Sequence, residues 1–233
     1  MCVRKGVIMN FDNKLKKDNM IIFYSNGLTE FVNDFINYYD NNIQSIMKNL
    51  KINIKDEIII ALTNDKKIAN VIYEDTGFSV FFTDTGAFAY INMNGKRSVD
   101  YMKKGIMHEL VHYYYKNYVY GSDKERITWV DEGLAQLLSN QKEELNDKEK
   151  YIEFLSQNVD NVNLNELNYE DKSFGEKNGY NLSYIAVRYL YESNTHSDFI
   201  SIIKDEKKLR ELGFGILNKA FLSYGIENKK VLK

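Results

Sequence analysis

The chain has 233 residues, 44% hydrophobic and 14% aromatic, which is enough to bury a sizeable core and excludes wholesale disorder. Its formal net charge is −2, too close to neutral to mark nucleic acid or an anionic membrane surface as a partner. The single cysteine, Cys2, excludes an intrachain disulfide.

In chain order, residues 20–24 (MIIFY) are a short apolar run closed by Ser25-Asn26-Gly27, the pattern of a strand ending in a turn. From 28 to about 50, Phe31, Phe35, Tyr38, Tyr39, Ile43, Ile46 and Leu50 recur at helical spacing and predict a long amphipathic helix. Residues 58–62 are apolar and β-branched, a strand, and 65–73 suit a helix. Residues 78–82 and 88–93 read as two strands flanking the Asp84-Thr85-Gly86 turn, with Asn94-Gly95 a second turn signal. Beyond it the pattern is helical, over 101–120, 128–140, 151–158, 181–193, 198–212 and 216–224. The expected fold class is therefore α+β. A small N-terminal lobe of mixed sheet and helices (1–120) and a mainly helical C-terminal lobe (121–233) form one domain with a cleft between them. No run approaches about 18 apolar residues, and residues 1–17 lack the apolar stretch of a signal peptide. The expected location is cytoplasmic.

Two of the chain's three histidines lie in His108-Glu109-Leu110-Val111-His112, an H-E-x-x-H segment. On a helix these imidazoles stack one turn apart on one face. Glu109, about 100° round the helix from His108, is placed beside a metal-bound water and not on the metal. A catalytic zinc takes three protein ligands and keeps one position open. Trp129-Val130-Asp131-Glu132-Gly133-Leu134-Ala135 offers the third in Glu132, with Gly133 and Ala135 small enough to let its helix approach the histidine helix. The set predicts one catalytic Zn2+ on His108, His112 and Glu132. Gly105 marks either a close approach of another backbone or a glycine that the helix tolerates, and Gln136 is placed where its side chain could bond a ligating imidazole.

At these residues the chain resembles the gluzincin metallopeptidases, the thermolysin-like and aminopeptidase branch of the zincins, and most of all peptidase MA-like domains. HELVH is similar to the helix motif of that family, and WVDEGLAQ to its W-x-x-E-G-x-A segment. The resemblance implies a zincin-like cleft, a peptide or protein substrate, Glu109 as general base, and His108, His112 and Glu132 as metal ligands. Tyr180, opening the segment Tyr180-Asn181-Leu182-Ser183-Tyr184, is similar to the tyrosine that stabilises the oxyanion, with Tyr184 as the alternative. The counterpart of the strand whose glutamate grips a free amine is Gly86-Ala87-Phe88-Ala89-Tyr90, which has no carboxylate, so the likeness does not extend to amine recognition. Strand 88–93 is the expected rim for an extended peptide, flanked by Tyr90 and Asn92. His196 lies in a polar turn and reads as a surface residue. The rival readings are a peptidase that cleaves transcriptional repressors and a non-catalytic zincin kept as a zinc- or peptide-binding module.

Overall fold

Short apolar runs and one long amphipathic helix build the first of the two units into which the chain divides, Met1–Tyr118 and Val119–Lys233. The computed structural model describes residues 2–4, 7–9, 11–69, 78–121, 125–141, 150, 153, 162–169 and 172–223. The protein is mixed α/β. Strands β1 (Cys2–Arg4) and β2 (Val7–Met9) pair antiparallel by themselves. The main sheet has five strands: β3 (Asn13–Lys17), β4 (Met20–Tyr24), β5 (Ile58–Thr63), β6 (Phe78–Thr83) and β7 (Gly86–Ile91), in the order β3-β4-β5-β7-β6. The three central strands run parallel, and each edge strand is antiparallel to its neighbour.

Burial follows from this order. Strand β7 is buried along its whole length, as a strand between two others must be. Strand β3 (NKLKK) has the alternating burial of an edge, its lysines half-buried or exposed. Helix α1 (Thr29–Leu50) connects β4 to the parallel β5 and buries Phe31, Val32, Phe35, Ile36, Tyr39, Ile43, Ile46 and Leu50. It stops at Lys51, which is left-handed (φ 51°). Helix α2 (Lys66–Ala69) is a single turn, and the rest of the helix expected over 65–73 lies outside the described residues.

Helix α3 (Val99–Tyr114) is capped by Ser98, whose side chain accepts from the Tyr101 amide at 3.2 Å. It packs on β6, β7 and α1. The helix expected over 101–120 changes character at Tyr115, where a π-helical turn (Tyr115–Tyr120) takes over. There the Asn117 side chain donates to the Tyr113 carbonyl at 2.8 Å, the acceptor that the Asn117 amide would use in an α-helix.

The second unit is helical among its described residues. Helix α4 (Thr128–Leu138) packs on α6 (Gly179–Ser193), and a 3-10 turn (Leu164–Glu166) and the short α5 (Ser173–Glu176) complete that layer. The single helix expected over 198–212 is two, α7 (His196–Lys204) and α8 (Glu206–Leu212). Asp205 breaks it: extended itself, it accepts from the Lys208 amide at 3.1 Å and caps the second helix. Helix α9 (Ile216–Ser223) follows. The helix expected over 151–158 lies almost wholly outside the described residues. Among the described residues no helix is long and apolar enough to cross a membrane.

One position in the sheet tests this register directly. Gly86 pairs with Ile59 at φ +150°, and a Cβ there would stand 2.2 Å from the Ile59 carbonyl oxygen. Gly86→Ala should cost about 2 kcal/mol or more, read as a lower midpoint of chemical denaturation. An unchanged midpoint would contradict the β5–β7 pairing.

Candidate metal centre

Helix α3 is buried nearly all round. Met102, Ile106, Leu110, Val111 and Tyr114 are buried on it, and so are Gly105, His108, His112 and Tyr115. Gly105 explains how the sheet comes so close. A Cβ on it would lie 2.6 Å from the Phe78 ring of β6, so the close neighbour is a side chain and not another backbone. Further along, the Phe82 ring packs on His112 with centroids 5.6 Å apart.

His108 and His112, 7% and 2% exposed, turn their Nε2 atoms toward each other at 3.0 Å, with ring planes 84° apart. Two nitrogens each 2.0–2.1 Å from a tetrahedral zinc lie about 3.3 Å apart, so the pair stands near the separation of two ligands on one ion, at a distance that an N–H···N hydrogen bond also gives. Glu109 is half-buried, and its carboxylate belongs to the same group: each of the three residues brings one ligand atom within 4.8 Å of the others. Its Oε2 accepts the backbone N–H of Phe82 at 2.7 Å. That bond reports on β6 as well. The Phe82 amide points away from β7, and because pairing alternates along an antiparallel strand, Phe78 and Val80 turn the same way. Among the described residues no strand pairs with this side of β6, so it is the sheet's open edge on this flank. The rim expected at 88–93 is corrected accordingly: β7 lies between β5 and β6, and Tyr90 is 3% exposed. The interior position of β7 follows from pairing with β5, a distant segment that no local pattern indicates.

Glu132 belongs to the second unit, on α4, and is 4% exposed. A glutamate opposite an apolar stripe is ordinarily solvated; this one is buried with partners that the sequence reading missed. Arg126 Nη2 donates to Glu132 Oε1 at 2.7 Å and Arg126 Nε to Asp131, while the Tyr169 hydroxyl donates to the same Oε1. The Arg126 guanidinium also lies 5.5 Å from the centroid of the Tyr169 ring. Burial opposes the Arg126 charge, but Asp131 and Glu132 outweigh it and raise its pKa. Burial, then the Glu132 carboxylate, pushes the Tyr169 phenol far above its ordinary value, so it remains a donor. The W-V-D-E spacing holds no signal for either residue: Arg126 precedes the helix and Tyr169 lies 37 positions beyond Glu132.

Tyr180 is the second residue of α6 and 42% exposed, its ring edge-on to Phe174 at 4.9 Å. Tyr184, the alternative, is 2% exposed, and its hydroxyl accepts from Arg188 Nη1 at 3.4 Å. Gln136 bonds no imidazole among its described contacts; its Nε2 donates to the carbonyls of Tyr180 (2.7 Å) and Glu132 (3.4 Å). Gly133 likewise serves α6: a Cβ there would lie 2.4 Å from the Ser183 carbonyl oxygen. His196 is half-buried as the first residue of α7. No protein-family model matches the chain, and no curated protein is significantly similar to it.

The α4–α6 contact gives a test of how Glu132 is seated. Gly133→Ala forces two backbones apart and should lower stability by about 1–3 kcal/mol, read by thermal denaturation. A variant as stable as the parent would show that the two helices do not touch at Gly133.

Proposed function

We propose that the protein is a zinc metallopeptidase of the gluzincin type. The observation that carries this reading is the buried His108–His112 pair, with facing nitrogens 3.0 Å apart and the Glu109 carboxylate in the same group. His108, His112 and Glu132 hold the ion in this proposal. The two histidines are supported by their geometry, and Glu132 by the resemblance of its segment. Bound zinc is a Lewis acid that brings the pKa of a coordinated water toward about 7.

The rest of the chemistry falls to the chain. Glu109 takes the proton of the attacking water and passes it to the departing amine nitrogen. The Phe82 amide keeps that carboxylate in one orientation. Tyr180 donates its hydroxyl to the carbonyl oxygen as charge builds there. An extended peptide adds along the outer side of β6, with which no described strand pairs. Helix α3 backs that strand, so the edge is held rigidly beside Glu109.

Glu109→Gln should keep its zinc on elemental analysis and lose peptide hydrolysis by about 10²–10⁴-fold; appreciable activity would remove Glu109 as the base. Tyr180→Phe should lower turnover by roughly 10²–10³-fold at unchanged metal content. His108→Ala should lose the zinc itself. A parent protein that holds zinc but cleaves nothing in a peptide library would instead favour the zinc-binding module without catalysis.

A further inference from the structure

Two side chains outside every motif reach the same oxygen of Glu132. Arg126 approaches from the segment before α4, 2.7 Å from Oε1, and the Tyr169 hydroxyl approaches the same atom from beyond the 3-10 turn. A glutamate side chain has three rotatable torsions, and two donors from different segments on one oxygen leave its carboxylate a single orientation. Each donor is itself held. Arg126 forks between Asp131 and Glu132. The Tyr169 ring contacts the guanidinium and also Phe174, whose ring centroid is 4.9 Å away. One guanidinium thus faces two adjacent carboxylates, each 4% exposed.

We propose that Arg126 and Tyr169 are positioning residues that preset the Glu132 carboxylate for a divalent metal ion. This rests on the reading of Glu132 as a ligand. Partners of this kind fix a ligand's orientation without touching the ion, and their loss commonly weakens metal binding by about 10–100-fold. Tyr169 does so through one hydroxyl. Its ring contacts with Arg126, Phe174 and Tyr180 do not need that oxygen.

The test is a double-mutant cycle on the full chain, with zinc affinity measured by competition against a chromophoric chelator. Tyr169→Phe should bind zinc about tenfold more weakly than the parent, and Arg126→Lys, which keeps the charge but cannot fork between two carboxylates, should also weaken it. In a Glu132→Ala background, Tyr169→Phe should have no further effect, because the hydroxyl acts through that carboxylate alone. Parent-like affinity in both Tyr169→Phe and Arg126→Lys overturns the proposal. So does an equal loss from Tyr169→Phe with and without Glu132, which would mark a general structural role. If Glu132→Ala itself binds zinc as the parent does, the ligand reading fails first and takes the clamp with it. Should Tyr169→Phe not fold, the Arg126→Lys arm of the same cycle decides the matter.

Discussion

Two imidazole nitrogens 3.0 Å apart in a buried helix need something positive between them, either a proton that one ring donates to the other or a cation that both share. Much of the first unit serves to hold that pair. His108 and His112 can face each other only because α3 is helical through both. The helix in turn can lie on the sheet only because Gly105 leaves room for the Phe78 ring. At the other end of the pair the Phe82 ring packs on His112 and limits how far that imidazole can turn. One strand, β6, therefore supplies an aromatic support for the histidines and, through the Phe82 amide, an anchor for the carboxylate between them.

The polar groups of the second unit obey a different constraint. Asp131 and Glu132 are adjacent on α4, and both are buried. Leaving either without a donor would cost several kcal/mol. Arg126 answers both at once, and Tyr169 adds a neutral donor that brings no further charge. A phenol satisfies an oxygen without adding a charge of its own.

Much of this was legible in the sequence, for physical reasons. The period of α1, the β-branched run of β5 and the H-E-x-x-H spacing are local patterns, and the structure places Met20–Tyr24 and Thr29–Leu50 where periodicity put them. What was not legible is non-local. Strand β3 has a lysine at three of its five positions and shows no apolar alternation, because an edge strand exposes one face and one side. The position of β7 inside the sheet depends on pairing with β5, a partner more than twenty residues away. The role of Gly133 depends on which helix lies against it, and that helix is α6.

The same division runs through the candidate site. The pair His108 and His112 is a one-turn repeat, so its geometry follows from helix formation alone. Phe82, Arg126 and Tyr169 reach their carboxylates across 27, 6 and 37 positions, and no spacing rule points to them. Short-range rules thus name the atoms that would carry the chemistry, while tertiary contacts decide how firmly each is aimed. Metal affinity is the quantity that separates the two. A ligand removed takes away a bond to the ion, whereas a partner removed lets the ligand rotate and lowers affinity in proportion to the orientations it regains. Residues found only through the fold should therefore show graded effects on zinc binding, and those found from the motif should show abrupt ones.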